Sequence, residues 1–397
     1  MRSDGRPVEA LVLSGGGAKG AYEVGVMKAL FAGASPSTGF RVPTVEVFTG
    51  TSVGAYNATF LAAQPGASGA AAVASLDQVW RERIANTPAQ CGNGIYRVRG
   101  LPFQGLSPGC LLHPLEALRE LAQDGAFAAG FTLTRSLDVA VSCLPPLARV
   151  VETIDLSALV SAEPMDSLVH ETIDFSVLLA SGKALTIAAS NWAEGTLRLF
   201  SKADVAAIGP AAVLASAAIP GMFPPVEVEG VPYVDGGVLM NTPLLPAIRA
   251  GADVLHVIYL DPFVDRIPFP ALPNTLATLY RLWAILVRTN VDRDIGEADR
   301  RSRAVVAGSQ ERLSNRVLVI HRYRPSAGLG GAGGLLDFSA AAVDFAIDLG
   351  YRDAAAHDCK AAGCSVHTPP ASSTGDSGRG GRMRGAGDRW VSPGSGR

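Results

Sequence analysis

Cysteine is scarce and odd in number: Cys91, Cys110, Cys143, Cys359 and Cys364 are the five among 397 residues. No CxxC pair occurs, and the Cys359 to Cys364 spacing lacks companion ligands, so neither a zinc module nor a disulfide framework is expected. Charge of one sign is missing too. Lys and Arg number 34 against 36 Asp and Glu, a formal net charge of -2, which removes the long-range field of a dedicated nucleic-acid binder. Long apolar runs are absent. Ala10 to Leu13 is too short for the core of an export signal, and Asp4 and Glu9 interleave with Arg2 and Arg6, so no N-terminal signal is expected. Val205 to Val226 is uncharged, but Gly209, Pro210, Pro220, Gly221, Pro224 and Pro225 interrupt it, so no membrane span is expected either. Residence in the cytoplasm or at the periphery of a membrane is the expectation that remains.

What the chain does have is apolar content, 48% against 18% charged residues, enough for a large core. Val8 to Leu13 reads as a strand that stops at a glycine cluster before a helix over Tyr22 to Phe31. Thr44 to Phe48 repeats the pattern, ending at Gly50 before a helix over Val53 to Ala63. Two such units imply an α/β fold with a mainly parallel sheet and helical crossovers. Helices are also expected over Leu76 to Ile84, Leu111 to Gln123, Ala206 to Ala218, Leu276 to Thr289 and Ala340 to Ala362. Strands are expected over Leu137 to Cys143, Arg149 to Ile154, Leu185 to Ala189, Thr196 to Phe200, Val254 to Leu260 and Arg316 to His321. Residues 1–7 read as a flexible N-terminus and 8–366 as one domain. Residues 367–397, rich in Gly, Ser and Arg, read as a disordered tail.

Three motifs carry chemistry. Gly50-Thr51-Ser52-Val53-Gly54 is a GxSxG at an expected strand-to-helix turn, the placement a nucleophile elbow needs to expose a serine hydroxyl. Gly15-Gly16-Gly17-Ala18-Lys19-Gly20 also lies between a strand and a helix, where successive backbone N-H groups can converge on an anion. That anion could be the oxyanion of acyl transfer or a dinucleotide pyrophosphate, since Gly15, Gly17 and Gly20 satisfy GxGxxG. Glu46, however, falls inside the second strand and makes a poor ribose-binding acid. Tyr233-Val234-Asp235-Gly236-Gly237 ends a short strand on a carboxylate that could serve a serine as its base, or simply form a turn. Of the histidines, His256 and His321 fall in expected core strands, His357 and His367 near the polar C-terminus, and His113 and His170 outside any motif. None is nominated as a triad member.

In this order the three motifs resemble the patatin-like phospholipase family. Two further blocks extend the likeness: Ala215 to Pro225, a small-residue helix ending in Pro and Phe, and Asp337-Phe338-Ser339 with Gly350-Tyr351 after it. Ser14 stands where many members carry Asp, and Lys19 where Arg is frequent. The resemblance implies a three-layer α/β/α carboxylic ester hydrolase of the phospholipase A type, acting on a lipid or acyl-ester substrate without a metal or other cofactor. Ser52 would be the nucleophile and Asp235 its base. Gly15, Gly16, Gly17 and Ala18 would form the oxyanion loop, with motif support from Lys19, Gly20, Gly50, Gly54, Gly236 and Gly237. A catalytically silent lipid-binding module, or a dinucleotide-binding oxidoreductase, is the alternative. Leu276 to Val287, with Arg281 its one charge, could line an acyl groove, contact a membrane peripherally or simply pack in the core.

Overall fold

A computed structural model describes residues 6–64, 66, 68–87, 92–98, 112, 114–141, 160–261, 318–330 and 333–366. It also describes 278, 281, 282, 285, 295, 296 and 300. The expected strand Arg149 to Ile154 and the tail 367–397 lie outside these residues, as does most of the expected helix Leu276 to Thr289.

The strands are β1 (Glu9–Leu13), β2 (Val45–Thr51), β3 (Arg97–Val98), β4 (Val160–Ser161), β5 (Ala184–Asn191), β6 (Thr196–Ser201), β7 (Val226–Val228), β8 (Val231–Asp235), β9 (Val254–Ile258), β10 (Val319–Tyr323) and β11 (Ser365–Val366). The helices are α1 (Ala21–Phe31), α2 (Val53–Ala62), α3 (Gly69–Val79), α4 (Pro114–Val141), α5 (Glu163–Thr172), α6 (Phe175–Ala180), α7 (Lys202–Ile208), α8 (Pro210–Ala217), α9 (Leu244–Arg249) and α10 (Ala340–Ala355). Among the described residues nine strands make the main sheet, in the path β11-β10-β9-β1-β2-β5-β8-β7, with β6 also on β5. The pairs joining β10, β9, β1, β2 and β5 in turn are parallel. The fold is therefore a mostly parallel mixed sheet between helical layers, as expected.

β1 shows why. Every residue is buried, with Leu11 and Leu13 entering one core and Ala10 and Val12 the other. A strand apolar on both sides is stable only when helices cover both. On the first face α1 and α10 cross through facing glycines: a Cβ on Gly25 would collide with Ile347 O, and one on Gly350 with Tyr22 O. Gly25→Ala is expected to force the helices apart and destabilise the protein by about 2 kcal/mol; an unchanged urea midpoint would show that the crossing yields without cost.

Four expectations need correction. Residues 137–141 are not a strand but the end of α4, which runs 28 residues from Pro114; a short apolar run alone does not distinguish strand from buried helix. The single helix expected over Ala206 to Ala218 is two, because Gly209 adopts φ 74° and Pro210 starts α8 afresh. Helix α3 begins earlier than expected, at Gly69, capped by Ser68 Oγ accepting from Ala71 N-H. Helix α10 stops at Ala355, short of the expected Ala362.

Candidate active site

The site lies at the carboxyl ends of β1 and β2, the end of a parallel sheet where ligands generally bind. Strand register brings its two side chains together. β6 occupies one edge of β5 along residues 186–191, so β2 and β8 must share the other. β2 reaches Ala188 with Thr51, and β8 arrives from the opposite direction to pair Asp235 with Ala189. The two strands thus end against each other, and Ser52, the next residue after β2, meets Asp235. The Ser52 hydroxyl comes close enough to the Asp235 carboxylate to favour its ionised form.

Ser52 is held in an unusual backbone conformation, φ 56° and ψ -126°. Both its backbone groups are satisfied there. Its N-H donates to Ser216 Oγ at 2.9 Å, and Ser216 Oγ donates to Ala188 O at 2.6 Å. Its carbonyl accepts from Ala55 N-H at 2.9 Å as α2 starts. The flanking glycines are required by contact: a Cβ on Gly50 would collide with Gly54 O, and one on Gly54 would lie 2.5 Å from Leu13 O.

Asp235 is 6% exposed, and burial pushes its carboxyl up to about 6, although the Ser52 hydroxyl and the bond from Gly237 N-H (2.7 Å to Oδ1) act the other way. Gly236 packs its Cα on Ala188 O, so the turn carrying the carboxylate lies flat on β5.

The glycine loop faces Ser52. Gly15 does not offer its amide to a ligand, because its N-H donates to Asn241 O at 3.1 Å. The amides of Gly16, Gly17 and Ala18 have no backbone acceptor among the described residues. Gly17 adopts φ 57°, and Gly20 packs against Val53 at the start of α2. Lys19 is buried with its Nζ 2.6 Å from Asp261 Oδ1, which ties the loop to the chain leaving β9. Its positive charge is thereby matched by Asp261. Glu46 sits at the second position of β2, away from the end where a ribose-binding acid would be needed.

Sequence patterns did not single out Asn241. Its side chain wedges between the loop and the aspartate turn: Nδ2 donates to Gly15 O at 3.2 Å, while Oδ1 lies where Cβ atoms on Gly15 and Gly237 would sit. Ser14, the departure noted above, bonds the neighbouring Thr242 through its hydroxyl at 2.8 Å. Behind the site Glu23 is wholly buried and accepts from Asn57 Nδ2 at 2.8 Å, and Asn57 Oδ1 accepts from Trp80 Nε1 at 3.0 Å. Burial holds the Glu23 carboxyl well above its ordinary range.

A model of the patatin-like phospholipase family matches residues 11–248, which hold the glycine loop, the Ser52 elbow and Asp235. The chain belongs to the patatin-like phospholipase family. Membership supports a lipid acyl hydrolase activity in general terms. Among solved structures, the crystal structure of VipD from Legionella pneumophila is similar over 86% of this chain and 67% of that one, at 14% identity and a TM-score of 0.33. No curated protein matches the chain.

For a patatin-like chain the cavity above Ser52 has the right chemistry. It is walled by Tyr56, Trp80, Met165, Val213, Phe223 and Phe338, with Gly17 and Ser52 at its foot. The lining is almost wholly apolar, as an acyl chain requires. No histidine lines it among the described residues. His256 and His321 stand on β9 and β10 and His357 beside them, His170 is on the surface of α5, and His113 and His367 lie outside the described residues. No described helix is long and apolar enough to cross a membrane.

Proposed function

We propose that this protein cleaves fatty-acyl esters of lipids with a Ser52-Asp235 dyad. Ser52 Oγ attacks the ester carbonyl while Asp235 takes its proton. The tetrahedral oxyanion is held by the amides of Gly16, Gly17 and Ala18, and the alcohol leaves with the proton that Asp235 returns. Water, deprotonated by the same carboxylate, then releases the fatty acid from the acyl-enzyme.

The observation that carries this reading is the juxtaposition of Ser52 and Asp235, set by the register of β2 and β8 on β5, beside an apolar cavity. Burial helps the base: a carboxylate raised to about 6 is a stronger proton acceptor than a solvated one, yet is still ionised at neutral pH. Val238 and Leu239, 46% and 36% exposed just beyond the aspartate turn, suit peripheral contact with a lipid surface.

The test is covalent labelling. A fluorophosphonate should add one phosphonyl group per chain, peptide mass mapping should find it on Ser52, and labelling should stop hydrolysis across a panel of phospholipid and glyceride esters. A protein that hydrolyses none of them and resists the probe would be a silent lipid-binding module or a dinucleotide protein instead; an adduct on any other serine would overturn the assignment of Ser52.

A further inference from the structure

The sequence offers no obvious companions for Cys359 and Cys364, but the fold supplies them. After α10 ends at Ala355 the chain turns back on itself, with Cys364 N-H donating to Cys359 O at 2.9 Å, and enters β11, which pairs antiparallel with the outer strand β10. This brings His357, Cys359 and Cys364 against His321 of β10. Cys359 Sγ lies 3.5 Å from His321 Nδ1, and Cys364 Sγ lies 3.2 Å from His357 Nε2. The four donor atoms are all within 4.8 Å of one another, and both thiols are free.

We propose that His321, His357, Cys359 and Cys364 form a structural Zn²⁺ site that fastens the segment after α10 to the edge of the main sheet.

A tetrahedral zinc with Zn-S near 2.3 Å and Zn-N near 2.0–2.1 Å separates a sulfur from a nitrogen ligand by roughly 3.5 Å. The two contacts above, 3.5 and 3.2 Å, lie within about 0.3 Å of that length. A paired-sulfur, paired-imidazole set selects zinc over magnesium or calcium, which prefer oxygen. With four protein ligands the site is closed, so its role is structural rather than catalytic. Binding replaces the two thiol protons, which pass to solvent, and the two thiolates balance the dication while both imidazoles remain neutral.

The surroundings orient these ligands as outer-shell groups do in metal sites. Arg322 N-H donates to Cys364 Sγ at 3.3 Å, the His256 ring stacks on His321 at 5.3 Å, and the Tyr323 ring lies 4.6 Å from His357. A Cys359-Cys364 disulfide would account for the sulfurs but not for two imidazoles converging on them.

The full-length protein, produced with zinc in the medium and purified under reducing conditions without chelator, should carry close to one zinc per chain by elemental analysis. Replacing the metal with Co²⁺ should give intense tetrahedral d-d bands and thiolate-to-cobalt charge transfer. The Cys359→Ser/Cys364→Ser variant should lose both the metal and these bands, and stripping wild type with a chelator should lower its Tm. Metal-free wild type that shows no thiolate-cobalt absorption on titration would overturn the site whether or not the variant folds. So would zinc retained at full stoichiometry by the double variant, or a Cys359-Cys364 disulfide in peptides of the unreduced, metal-free protein. None of these readouts involves ester hydrolysis, so this site and the dyad stand or fall separately.

Discussion

Asp235→Asn is expected to hydrolyse esters between about 10² and 10⁴ times more slowly than wild type and yet, at pH 8, to be the more stable protein. The two effects have one cause. The Asp235 carboxyl is pushed up to about 6 from an ordinary 3.8 because folding removes it from water. The native state therefore binds this proton more tightly than the unfolded chain does. Below the unfolded value the group is protonated in both states and no penalty exists. As pH rises through the folded value that advantage is lost, and above it the native state carries a buried carboxylate at a cost on the order of 3 kcal/mol. Asparagine keeps an oxygen to accept from Gly237 N-H but never ionises. Urea unfolding should accordingly show the variant ahead of wild type at pH 8, with the gap closing towards pH 4. Wild-type kcat/KM should rise to a plateau through an apparent pKa of about 6, reporting the ionised base. Wild-type-like hydrolysis by the variant would remove Asp235 from the mechanism. A stability difference independent of pH would mean that its carboxylate is solvated.

The parts of this molecule legible in the sequence are those encoded within a few consecutive residues. The β1 and β2 runs each end at glycines before a helix, and both strand-turn-helix units form close to their expected bounds. Ser52, Asp235 and the glycine loop are readable for the same reason, since a strand-to-helix turn, a strand end and a run of glycines each leave a short local trace. Register then does what no local pattern reveals, by setting β2 and β8 end to end along one edge of β5. No local pattern marks the roles of Ser216 and Asn241, because their partners are 164 and 226 residues away and an isolated Ser or Asn looks the same at any turn. His321 reads as a core histidine in a strand, and only the return of the chain through β11 sets two sulfurs beside it. The misread run at 137–141 is the converse case, where local apolarity suggested a strand and the long helix from Pro114 prevailed.

Ser52→Gly is expected to abolish turnover, by about 10⁴-fold or more, while leaving a protein more stable than Ser52→Ala. Both variants remove Oγ and its interaction with Asp235, so the loss of activity is shared and the comparison isolates the backbone. At φ 56° and ψ -126° a residue with a Cβ is strained, by about 1–3 kcal/mol. The strain persists because Ser216 Oγ holds the N-H and the first turn of α2 holds the carbonyl, so position 52 cannot relax without losing bonds at both ends. Alanine keeps that strain. Glycine does not, although its freer unfolded chain takes back about 0.5–1 kcal/mol. The glycine variant should therefore lead by about 1 kcal/mol in urea unfolding at any one pH. Equal stability, or an advantage for alanine, would mean that the turn relaxes around the missing hydroxyl. The conformation that exposes Oγ would then be maintained by its interaction with Asp235 rather than imposed by the strand, the helix and the small residues between them.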